Sequence, residues 1–266
     1  MAERIAAQLR ERILSGQLAG AALPTQEALM ASFGVSAPSL REALRILEVE
    51  GLITVRRGKL GGADVHRPDG ASVAHAIGLT LQGEGTSVRQ LAEAVLLMEP
   101  LCAAACATLV DRLQVLRPAV EENLRRSADA VGDGPEFTRL GRRFHELLVD
   151  ATPNPAVRLL ARSLVAVWST QEQEWAGEAA EVGRYPDAAG QQAVMRAHRR
   201  IAEAIYDGDS VTSEAAARRH LEATQKLVLS EFGSRPIDAT SPAASAGFQA
   251  LSFRARQGPA PSHGGF

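Results

Sequence analysis

The sequence predicts a mainly α-helical protein in two parts: an N-terminal winged helix-turn-helix with a small β-hairpin wing, then an all-α antiparallel helical bundle. Three observations carry this. Apolar residues recur at helical spacing along most of the chain from Ala2 to Ser230. The breaks between those stretches are short turn clusters such as Gly132-Asp133-Gly134, Pro153-Asn154-Pro155 and Asp207-Gly208-Asp209. A β-prone run divided by a glycine-rich turn lies between Leu52 and His66. Only 4% of the 266 residues are aromatic, which favours helix bundles over a β-sandwich, and the length suits one large or two modest domains.

Residues 2–15 read as the first helix, with Ile5, Leu9, Ile13 and Leu14 inward. Thr25 is placed to cap a short second helix that ends near Phe33, where Gly34 supplies a left-handed residue. Ser36 is placed to cap a longer third helix, which tolerates Pro38 in its first turn and stops at Gly51. At about 100° per residue, Leu40, Ala43, Leu44 and Leu47 share its inner face, and Arg41 and Arg45 point outward one turn apart. Leu52–Arg56 and Ala63–His66 then form a hairpin whose tip carries Arg57-Gly58-Lys59.

Two helices joined by a short glycine turn can set the second into a DNA major groove. The candidate DNA contacts are Ser36, Ser39, Arg41 and Arg45 on that helix, and Arg56, Arg57, Gly58 and Lys59 on the wing. Charge is distributed accordingly. The chain carries a net −2, but residues 1–67 carry +2 and the remainder −4.

Domain 1–67 is followed by a linker at 68–71 containing Pro68-Asp69-Gly70. Helices are expected at about 72–82, 87–109, 112–130, 134–151, 155–176, 187–207 and 210–230, and their short connections force antiparallel neighbours. Residues 72–233 are thus an all-α domain, and 234–266, rich in Pro, Ser, Ala and Gly, a disordered tail. Cys102 and Cys106 lie in an apolar run and read as buried thiols of a reducing compartment. The apolar stretch 94–110 is interrupted by Glu99 and Pro100 and reads as too short to span a bilayer, so a cytoplasmic protein with no membrane partner is expected.

Within the bundle, His198 and His220 each lie eleven residues from Asp209. In an antiparallel pair that means equal height, about 16 Å from the turn at 1.5 Å per residue. His145 stands on an earlier helix of the same bundle, so three imidazoles can converge. Three nitrogen donors suit Zn, Ni or Fe as a divalent ion, and three separate core or surface histidines are the alternative.

The segments Leu23-Pro24-Thr25, Gly34-Val35-Ser36, Leu40-Arg41-Glu42-Ala43-Leu44 and Glu50-Gly51-Leu52-Ile53 resemble the winged helix of GntR-family transcriptional regulators. Ala37 stands where that family usually has Arg, and Gln26-Glu27 where one branch has Glu-Arg, so the family's usual operator is not expected. Phe144-His145, His198 with Ile201 and Ile205, and His220-Leu221 look like the FCD effector domain of the FadR branch.

The resemblance implies a ligand-responsive regulator, most often a repressor. It would bind a palindromic double-stranded DNA operator as a homodimer and be released by a small-molecule effector. It also implies a metal held by three His, here His145, His198 and His220, and an Asp, whose position is Gly141. An Arg that grips acidic effectors is replaced by Val95, so Val95 and Gly141 are the candidate effector-pocket positions, with a less acidic effector expected. Two other readings compete: a bundle that only dimerises, and a metal-dependent enzyme. The second lacks a carboxylate at motif spacing beside the histidines, so no enzymatic activity is expected.

Overall fold

A computed structural model describes residues 1–18, 22–56, 62–66, 70–241, 244 and 248. The chain divides into two compact units, Met1–Ser72 and Val73–Phe266.

In the first unit, α1 (Ala2–Leu14), α2 (Gln26–Phe33) and α3 (Ala37–Val49) precede strands β1 (Ile53–Arg56) and β2 (Gly62–Val65). Ile5, Leu9 and Ile13 of α1 pack with Leu40, Leu44 and Leu47 of α3 in one apolar core, as their spacing requires. Leu14, expected inward, is exposed. The Thr25 side chain accepts a hydrogen bond from Ala28 N, and Gly34 ends α2 with φ +62°, a conformation that strains any residue with a Cβ. Ser36 stands at the N-cap of α3 but makes no side-chain cap bond; its hydroxyl lies 3.3 Å from that of Ser39. The strands pair antiparallel from Ile53↔Val65 to Arg56↔Gly62, and Ala22 bridges Asp64 as a third, one-residue strand. Arg57, Gly58 and Lys59 of the expected wing tip, residue 67, and 68 and 69 of the expected linker lie outside the described residues.

The second unit is helical: most of α4 (Gly70–Gly83), whose first three residues belong to the first unit, then α5 (Val88–Ala107), α6 (Arg112–Val115), α7 (Arg117–Asp129), α8 (Gly134–Ala151), α9 (Pro155–Glu181), α10 (Ala188–Asp207) and α11 (Ser210–Phe232). Two differences from the sequence reading have local causes. The helix expected at 112–130 is two helices. Pro118 lies in the first turn of α7, where its missing N–H costs nothing but cannot continue an incoming helix. The expected break at Gly177 does not occur. α9 runs through it because Trp175, Ala176 and Ala179 bury on the same face, outweighing roughly 1 kcal/mol of glycine propensity.

α5 is, at 20 residues, long and apolar enough by length and composition to cross a membrane, contrary to the shorter stretch expected. Half of it is buried against the other helices, and Cys102 and Cys106 are free thiols at 0% exposure on that face. α11 and α10 form the antiparallel hairpin that sets the height of their histidines. Gly208 turns at φ +78°, and the Asp209 side chain caps α11 by accepting from Thr212 N.

The disordered tail expected from residue 234 is overturned at its start. Ile237, Ala239, Ala244 and Phe248 are buried in the same core as Trp168 and Ala74. Val88 N donates to Arg235 O, Ile237 N to Thr86 O, and Ala239 N to the Gln82 side chain at 2.8 Å. The Gln171 amide donates to Asp238 O and accepts from Asp238 N. The small residues that looked like linker composition serve close packing instead, since a Cβ at Gly78 would sit 2.9 Å from Ala239 Cβ. Trimming one methyl from this segment has a defined cost. Ile237→Val is expected to lower stability by about 0.5–1.5 kcal/mol in urea titration, whereas an unstructured tail gives no change.

Candidate metal centre and DNA-contact face

Five helices of the second unit contribute one side chain or two each to a single buried cluster. α8 brings His145 and Arg142, α10 His198, α11 His220, α5 Glu99 and α9 Glu172, all at most 8% exposed. His220 Nε2 lies 2.9 Å from His198 Nε2 and 3.1 Å from His145 Nε2. All three rings offer a nitrogen within 4.8 Å of the others. The rings are held from behind: Phe144 stacks on His198 at 4.2 Å, and the Glu99 carboxylate sits against His145 Nδ1.

Arg142 closes the cluster with Nη2 3.4 Å from Glu99 Oε2 and Nε 3.2 Å from Glu172 Oε2. Burial lowers the pKa of His198 and takes that of His220 down to about 3, so both imidazoles are neutral near pH 7. Burial alone would raise Glu99, but His145 and Arg142 hold its carboxyl at about 2. Burial pushes Glu172 up despite Arg142.

These residues fit a divalent ion. Neutral imidazole is the coordinating form. Nitrogens bound tetrahedrally at about 2.0–2.1 Å lie roughly 3.3 Å apart, so the observed separations need to open only slightly. A carboxylate on the outer nitrogen of a ligating histidine fixes its tautomer and raises its basicity, the place Glu99 takes on His145. Gly141 gives no ligand; a Cβ there would meet only His198 Cε1, at 3.8 Å. It lines, with the three histidines, Arg142 and Trp175, a cavity of about 60 Å3.

Val95 is not in that lining. It is packed at 0% exposure in the apolar core, so the expected effector-pocket position there is corrected. Glu99, Arg142 and Glu172 were missed as a group. Their one sequence signal is that each is a charged residue on the buried stripe of its helix. The expectation concerned carboxylates at motif spacing; Glu99 reaches His145 from another helix, outside any such spacing.

In the first unit, Arg41 and Arg45 are both exposed on α3. Arg45 pairs with Glu42 at 3.2 Å, and Arg56 on β1 with Asp64 at 2.8 Å. Arg41 has no ion pair among the described residues, so its guanidinium is free to meet another acceptor.

Residues 1–60 match the family model described as bacterial regulatory proteins, gntR family, and residues 90–223 match the FCD domain. The chain is 25% identical over 221 residues to the HTH-type transcriptional regulator LutR of Bacillus subtilis (strain 168), covering 83% of this chain and 97% of that protein. It is 26% identical over 246 residues to the HTH-type transcriptional repressor NanR of Klebsiella aerogenes, covering 84% and 83%. The fold is shared with a GntR protein of Streptococcus agalactiae at TM-score 0.64 and 24% identity, over 85% of this chain and 99% of that one. The chain therefore belongs to the GntR family, as a transcriptional regulator with a DNA-binding helix-turn-helix followed by an FCD effector domain.

Proposed function

We propose that this regulator is a cytoplasmic repressor that binds a palindromic operator as a homodimer and is released by a small-molecule effector in the His145–His198–His220 cavity. The observation that carries the reading is the convergence of three buried imidazole nitrogens beside a small cavity in a chain that also reads DNA. A relative bearing the name of a transcriptional repressor supports the sign.

In this reading Ser36, Ser39, Arg41 and Arg45 meet base edges or phosphates, and Arg56, Arg57, Gly58 and Lys59 the adjacent backbone. Two such heads related by a two-fold axis would require inverted half-sites. His145, His198 and His220 hold a divalent ion of the Zn, Ni or Fe type. When bound, it supplies a Lewis-acidic anchor for a donor atom of the effector. Glu99 orients His145 for that task, and Arg142 keeps Glu99 ionised. Effector binding alters DNA affinity only by the difference in its affinity for the two states of the protein, and DNA alters effector affinity by the same factor.

Metal titration tests this. Zn2+ or Ni2+ in a chelator-buffered series is expected to raise the melting temperature of the full chain. The rise should vanish in His198→Ala, and in Glu99→Gln, whose carboxamide no longer supports His145, the same rise should need about tenfold or more free metal. Apo His198→Ala should keep its DNA affinity. If neither ion stabilises the wild type, the metal is removed from the reading; if a panel of metabolites also gives no stabilisation, a bundle that only dimerises is favoured.

A further inference from the structure

The groove between α10 and α11 has a feature that the three-histidine centre does not explain. It is lined by Arg196 and Arg200, one turn apart on α10, and by Arg219 on α11, around a volume of about 560 Å3. Its floor is made of alanines, among them Ala197 and Ala216, so a ligand can approach close to the helix backbones. No carboxylate lines it. None of the three arginines has an ion pair among the described residues, whereas Arg125, Arg139, Arg143, Arg184 and Arg218 of the same unit each hold at least one.

The groove adjoins the histidine cavity. Val194, His220, Thr224 and Leu227 belong to the lining of both. The inner cavity, about 60 Å3, admits only a few atoms. It is bordered by Trp175, whose indole Nε1 is buried without a partner, and by His198, whose Nδ1 is likewise unpartnered. A ligand confined to the cavity would leave the arginines unused. One confined to the groove would leave the buried polar atoms unanswered.

We infer that the α10–α11 groove is an outer oxyanion subsite, and that the ligand of this domain is bipartite. Its small polar head enters the histidine cavity past Thr224 and Leu227, and its phosphate-like group is held by Arg196, Arg200 and Arg219. This rests on the reading that the cavity is the effector site. Guanidinium groups without internal partners suit such a group because they bind oxyanions through paired hydrogen bonds and lose no existing salt bridge in doing so. The acidic character that Val95 seemed to exclude is thereby restored from a different pair of helices.

Calorimetry on the full chain tests this with inorganic phosphate, acetate and ω-phosphonocarboxylates of increasing chain length. Phosphate is expected to bind the wild type and to weaken at least tenfold when Arg200→Ala and Arg219→Ala are combined. Its affinity should be unchanged in His198→Ala. At least one phosphonocarboxylate should bind tenfold or more tightly than phosphate, because one molecule engages both subsites, and His198→Ala should erase that gain. The arginines are exposed, so an unchanged melting temperature verifies that their variant folds.

Equal phosphate affinity in the wild type and the double-arginine variant, an adventitious ion only, overturns the proposal. So does a series in which no phosphonocarboxylate exceeds phosphate, or displacement of phosphate from the groove by random duplex DNA. Zinc binding, measured separately, distinguishes the two readings. Its absence from the wild type removes the metal and leaves the phosphate series to decide the groove.

Discussion

Arg142→Met is expected to destabilise the protein by about 3–5 kcal/mol, because it strands two carboxylates in the bundle interior. Arg142 and Glu99 are 7% and 2% exposed at the side chain, so water cannot take over the lost pairing. Glu172 loses the same partner. The wild-type interaction itself contributes less than that figure, since burying three charges carries a desolvation cost of its own. Arg142→Met combined with Glu99→Gln and Glu172→Gln should therefore recover much of the loss. Urea midpoints of wild type, single and triple variant measure this, and a loss below 1 kcal/mol for the single variant would contradict the ion cluster.

The same cluster sets the acid response of the metal-free chain. His198 and His220 have lowered pKa values in the fold, so the unfolded chain takes up protons first. Their contribution is complete above about pH 6.5 and declines as pH falls below it, for His220 down to about 3. Glu99, held at about 2, contributes fully above about 4.5 and loses its share between 4.5 and 2. Glu172 is raised and works in the opposite sense, since its burden at neutral pH is relieved by protonation. Urea midpoints should thus start falling near pH 6.5, earlier than carboxylates alone would produce. In Arg142→Met the further decline between 4.5 and 2 should shrink.

Arg41→Ala is expected to weaken specific DNA binding by about 5- to 150-fold, the 1–3 kcal/mol of a paired contact to a base edge. Arg45→Ala should cost less. Its guanidinium is already paired with Glu42 in the free chain, so binding exchanges one partner for another. Should Arg41 meet phosphate instead, the loss would be uniform across sequences and the salt dependence would fall by about one counterion. Fluorescence anisotropy on matched and mismatched duplexes at fixed salt separates these outcomes.

Much of the fold was legible because local rules determine it. Gly34 and Gly51 turn at positive φ where the helix stop signals lay, and Leu40, Ala43, Leu44 and Leu47 bury where a period of 3.6 places them. The convergence of His198 and His220 followed from counting along an antiparallel hairpin whose turn, Gly208-Asp209, was itself recognisable.

What was missed depends on partners distant in sequence. Nothing near Glu99 announces that it will meet His145 and Arg142 from α8, and an acid in an apolar run reads as an interruption. Composition misjudged 234–241, because Ala239 and Gly78 are small in order to touch, which only the tertiary fold reveals. Val95 was assigned to the pocket by analogy of position; its rotation on α5 turns it into the core.

The most direct test of the regulator account is repeated selection of the purified full chain against a library of random duplexes at physiological salt. The expected result is enrichment of one motif made of two inverted half-sites, bound at least 10³-fold more tightly than unselected duplex and lost with Arg41→Ala. Binding that enriches no motif at any salt concentration where it is measurable, with Arg41→Ala indistinguishable from wild type, would contradict it.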